Sequence, residues 1–156
     1  MRIVIVSLAA LTLLLALTPS ALPPYDARDD ARANAAPSPM DQAKTELNTA
    51  KTHAGFAAAS DSLNGVFQHT GHAVNCLVGA NDKRFDKKWG NVCEGQGSGA
   101  LTDLKSAGAR GADALKIAED ATKVGVDGLN SKDLTAAQNG AKKLGGMLDD
   151  ALKAIK

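Results

Sequence analysis

All five prolines, Pro19, Pro23, Pro24, Pro37 and Pro39, precede residue 40, and none occurs in the rest of the 156-residue chain. Proline removes a backbone donor and clashes with the preceding helical turn. A proline-free stretch dominated by Ala, Leu, Lys and Asp is therefore open to helix throughout. Residues 40–156 are expected to form one all-α domain of roughly 115 residues, enough for one modest core.

Apolar periodicity divides this region into four helical segments. Ser38 can cap the first, with Pro39 in its first turn and Asp41 near the positive end of the helix dipole. Ala43, Leu47, Ala50, Ala54 and Ala57 then form one stripe. Ser60, Asp61 and Ser62 predict a break, because short polar side chains favour capping over helix interior; one long helix over 41–78 is the alternative. The second segment buries Leu63, Val66, Phe67, Val74 and Leu77 and ends near Gly79. Residues 80–98 lack periodicity and read as an ordered loop anchored by Phe85, Trp89 and Cys93. A third helix is expected over 99–123, with Leu101, Leu104, Leu115 and Ala118 inward. The fourth starts at Asn130, Ser131 and Asp133, with the stripe Leu134, Ala137, Ala141, Leu144, Leu148 and Ile155. Short links between such segments predict an up-down four-helix bundle with a disulfide-pinned loop between helices 2 and 3. Gly108, Gly111, Gly140, Gly145 and Gly146 each cost about 1 kcal/mol in a helix interior, and either allow close backbone approach or loosen helices 3 and 4.

The N-terminal end has a different character. Arg2 precedes an apolar run over 3–17, and small residues follow before Pro23 and Pro24. This is the layout of a secretory signal peptide over 1–22, and the run is shorter than the roughly 20 residues a spanning helix needs. A retained N-terminal anchor is the alternative. Residues 23–39 carry no apolar periodicity and read as a disordered linker. Export would place the domain in the periplasm or outside the cell, with no stable membrane span after cleavage. Two cysteines in an oxidising compartment favour a disulfide, here Cys76–Cys93. Closing that loop stabilises the fold by about 3 kcal/mol on the chain-entropy account. In the alternative, both thiolates are metal ligands.

The chain holds three histidines, and their placement is informative. His69, His72 and Cys76 follow an i, i+3, i+7 spacing, which puts them within an arc of about 60° on one helix face. That face lies about 130° from the apolar stripe centred on Val74, so the histidines flank the core. His53, one helix earlier, is similarly distant from the turn near residue 60. Periodicity allows two outcomes: both flanks meet in the groove between helices 1 and 2, or they occupy opposite outer edges. In the first case His53, His69 and His72 form a three-nitrogen cluster suited to a transition metal such as copper or zinc. Trp89 and Phe85 read as loop anchors.

The segment 69–103 carries Val74, Asn75, Cys76, Leu77, Val78, Gly79, Phe85, Asp86, Gly90, Asn91, Cys93, Gly95, Gly97, Gly99 and Asp103. It resembles a pattern of small exported bacterial helical proteins of largely uncharacterised function, whose members have more His before the V-x-N-C run; Thr70 and Gly71 stand there in this chain. More loosely, the chain is similar to periplasmic His-bearing metal-binding helical bundles. These resemblances cover under a quarter of the chain and imply a metal or haem site without catalytic activity.

Other chemistries lack their residues. Three glutamates, Glu46, Glu94 and Glu119, and no E-x-x-H argue against a ferritin-like di-iron site. There is no C-x-x-C-H and no C-x-x-C. The run 95–99 lacks the Lys of a phosphate loop. A net charge of +1 and 3% aromatic residues argue against nucleic-acid binding. Lys142, Lys143, Lys153 and Lys156 fit a solvated helix face better than a membrane-surface helix. The reading is a non-enzymatic protein whose partner is a metal ion, held by His53, His69 and His72 for storage, buffering or delivery. Non-covalent haem binding is the alternative cofactor reading, and a structural module with a protein partner is the third.

Overall fold

A computed structural model describes residues 36–155. The expected signal peptide over 1–22 and most of the expected linker lie outside the described residues. Five α-helices follow in order: α1 (Pro39–Ala59), α2 (Leu63–Val78), α3 (Ala100–Ser106), α4 (Ala112–Gly128) and α5 (Leu134–Ala154). Single 3-10 turns lie at Lys87–Trp89 and Gly108–Arg110. There is no strand among the described residues.

The helix starts follow their sequence signals. Ser38 Oγ accepts a hydrogen bond from Asp41 N, with Pro39 in the first turn. Ser62 Oγ accepts from Gly65 N at the start of α2, and Asp133 Oδ1 accepts from Ala136 N at the start of α5. Each side chain satisfies a backbone donor that the helix leaves unpaired. The chain breaks at 60–62, so the single long helix over 41–78 is not formed.

The expected helix over 99–123 is instead two helices, and the four-helix bundle is replaced by a five-helix arrangement. The break has a local cause. Gly108 has φ +65°, a conformation that side-chain-bearing residues avoid. At Gly111 a β-carbon would stand 2.4 Å from the Leu104 carbonyl oxygen, so the chain doubles back too closely for any other residue.

The core is small-residue packing. Ala43, Leu47, Ala50 and Ala54 of α1 bury against Ala73, Val74 and Leu77 of α2 and Leu144, Leu148 and Ala151 of α5. A second cluster joins Ala57, Val66, Ala137 and Ala141. The main packing partners of α1 are α2 and α5, while α4 packs on α5 and α2, and short α3 lies on α1. Lys51 and Asp149 pair at 2.6 Å between α1 and α5, exposed and so of small energetic weight.

The loop over 79–99 is held at several points. Cys76 and Cys93 form the expected disulfide, with Cα atoms 5.3 Å apart. The buried Asn75 amide donates to the carbonyls of Asp86 at 2.9 Å and Gly90 at 2.7 Å, and its oxygen accepts from Asp86 N at 3.0 Å. One side chain thus serves three loop backbone groups, of which the Asp86 carbonyl also accepts from Trp89 N. At the loop's ends the backbones of Gly79 and Gly99 touch: a β-carbon on Gly79 would stand 2.1 Å from Ser98 O. Much of the patterned segment 69–103 therefore builds this loop.

Candidate metal centre

His53 stands seven residues before Ser60 on α1, and His69 stands seven residues after Ser62 on α2. Folding α1 and α2 together across the turn brings these positions level. The two histidine flanks face the shared groove. His53 Nδ1 lies 3.3 Å from His69 Nδ1 and 3.3 Å from His72 Nδ1. One nitrogen from each ring falls within 4.8 Å of those of the other two, close enough to hold a metal ion, and all three residues are half-buried. Phe56, one turn beyond His53 and 52% exposed, stands edge-on to His53 at 5.7 Å and 5.4 Å from His69.

Hydrogen bonding alone does not satisfy this geometry. A neutral imidazole nitrogen is either one donor or one acceptor. His53 Nδ1 faces two others, so it can complete a bond to only one of them. A cation that accepts all three lone pairs removes the conflict. The spacing also fits coordination: a tetrahedral ion with metal–nitrogen bonds of about 2.0–2.1 Å has nitrogen–nitrogen edges of about 3.3–3.4 Å. Adjacent nitrogens on a square-planar ion would stand about 2.9 Å apart.

The electrostatics favour the neutral, metal-ready form of His53 and His72. Burial, helped by His72 and His69, lowers the His53 pKa to about 4. Burial and His69 also lower that of His72, while a hydrogen bond with the Trp89 backbone acts in the opposite sense. That contact ties the loop to the site. The indole lies on Gly71, where a β-carbon would stand 2.2 Å from Trp89 Cγ. Gly71 is thus a seat for Trp89 beside His72, and Trp89 is the loop anchor expected. Cys76 and Cys93 are bonded to each other, so neither is a ligand.

Sequence reasoning missed a second polar centre. Glu46 is 1% exposed and Asp103 is 4% exposed. Glu46 Oε1 accepts from Gly99 N at 2.8 Å, and Asp103 Oδ2 accepts from Ser98 N at 2.9 Å. Glu46 Oε2 is buried without a hydrogen-bond partner. Burial raises the Glu46 pKa to about 8; the Gly99 N–H opposes the shift and Asp103 adds to it. A proton on Oε2 removes the buried charge and makes it a donor. The available signal was position: Glu46 lies between Ala43 and Ala50 on the apolar stripe of α1. A cavity of about 290 Å³ beside it is lined by Glu46, Asn75, Asn91 and Cys93, and by none of the histidines.

No protein-family model, curated protein or solved structure matches the chain.

Proposed function

We propose that the chain is an exported helical protein that binds copper or zinc through His53, His69 and His72 for storage, buffering or delivery, with no turnover of its own. The observation that carries this reading is the pair of 3.3 Å contacts that converge on His53 Nδ1. Those edges match a tetrahedral ion, which favours Zn(II) or Cu(I) over planar Cu(II). Export is supported by the apolar run over 3–17 and by the disulfide, a bond that persists in oxidising compartments. No helix among the described residues is long and apolar enough to cross a membrane.

Haem is the weaker reading. Two axial imidazoles approach the iron from opposite faces of the macrocycle. A haem would therefore have to part histidines that the α1–α2 groove holds together. The test is titration calorimetry with Zn(II) and Cu(II) on the wild type and on a His69→Ala/His72→Ala variant. Binding near one equivalent is expected in the first and loss of it in the second. Equal binding by both would sink the proposal.

A further inference from the structure

We propose that a metal ion held by His53, His69 and His72 keeps one coordination position free, and that this position takes a small anionic ligand such as a carboxylate, azide or hydroxide. The inference rests on the metal-binding reading above and adds what completes the site.

A tetrahedral ion requires four ligands. The cluster supplies three, and no Cys, Asp or Glu among the described residues joins it. Both cysteines are committed to the disulfide. The two edges at His53 Nδ1 already have coordination length, and the three ligand nitrogens all lie within 4.8 Å of one another, so the imidazoles can take three corners of the tetrahedron. No further imidazole, thiolate or carboxylate among the described residues stands ready for the fourth corner, which leaves it to a ligand from outside.

The three residues are half-buried, whereas a closed structural site would seal them. Phe56 packs on two of the rings while 52% exposed, so the cluster reaches the protein surface at that ring. Three-histidine sites with a vacant position are the arrangement that general zinc chemistry uses for exchangeable ligands.

Structural zinc sites neutralise the ion with thiolates. Here all three donors are neutral imidazoles, and no carboxylate belongs to the cluster. A divalent ion keeps its full charge in a half-buried place, where charges interact more strongly than in water. An anion at the fourth corner lowers that energy, and a neutral ligand lowers it less.

Cobalt(II) is the suitable probe, because its visible bands report coordination number and ligand identity. The purified chain is titrated with Co(II), and azide is then added, with acetate as competitor. Bands are expected to grow to one equivalent and to be absent in His53→Gln, with circular dichroism checking that this variant is folded. Azide should shift the bands along a single saturable isotherm, and acetate should move its midpoint to higher azide. If that variant is unfolded, His72→Gln serves the same purpose. Bands that ignore azide would overturn the free position while leaving the metal site standing. No Co(II) bands in the wild type would overturn the metal-binding reading, and this inference with it.

Discussion

Replacing Glu46 with Gln isolates the energetic role of one buried proton. Glu46 is 1% exposed and titrates near 8, against an ordinary value of 4.5. Between those two values the folded chain holds a proton that the unfolded chain has released. Stability is therefore complete below the unfolded value and declines as pH rises towards the folded one. One pKa unit corresponds to about 1.4 kcal/mol, so integrating the linkage from about pH 6 to about pH 9 gives a loss of about 3 kcal/mol. Gln keeps an oxygen for Gly99 N and an amide donor near Asp103, and it does not titrate. Urea unfolding of wild type and Glu46→Gln across this range should give a difference that shifts by about 3 kcal/mol in favour of the variant at high pH. Asp103→Asn provides an internal comparison. It removes the neighbouring charge but leaves Glu46 buried, so the decline should shrink without vanishing. Parallel pH profiles for wild type and Glu46→Gln would refute the reasoning, because they would mean that Glu46 carries no extra proton in the folded chain.

Two further outcomes follow from the histidine site. Gly71→Ala places a β-carbon 2.2 Å from Trp89 Cγ, so the indole must leave its seat. Stability should fall by about 1–3 kcal/mol, emission from the single tryptophan should move to longer wavelength, and Zn(II) affinity should drop as the Trp89 contact to His72 is lost. Unchanged emission would show that the indole does not rest on Gly71. The depressed His53 pKa, about 4, also sets a pH dependence. Unfolded His53 binds its proton near 6.5 and the folded ring does not, so metal-free stability should fall as pH drops through this interval. Metal affinity should meet little proton competition at His53 until the lower end of the same interval. Urea unfolding of the metal-free chain at several pH values checks the fall in stability, and a stability that stays level below the ordinary imidazole value would contradict it.

Much of this architecture was readable because its signals are local. The absence of proline after residue 39 and the stripe Ala43, Leu47, Ala50, Ala54 and Ala57 depend only on helical periodicity. Ser38 and Asp133 cap their helices within three residues of their own positions. The break at 60–62 and the pairing of Cys76 with Cys93 followed from equally short-range or compartmental arguments. The division of the expected helix over 99–123 was harder to see. Its glycines cost helix propensity, but only the doubling back of α3 onto α4 makes Gly111 indispensable at Leu104.

The sequence by itself determined that the chain is helical, where most of its helices begin, and that three scarce histidines sit on the flanks of two successive helices. Periodicity fixes a side chain's angle about its own helix axis and says nothing of where the neighbouring axis lies. Packing made that choice. Burying the alanine stripe of α1 against α2 and α5 turned both histidine flanks into one groove, with His53 Nδ1 3.3 Å from each of its partners. The same packing drew Glu46 under the backbone of 98–99, where burial, and not any neighbour in sequence, is the main cause of its raised pKa.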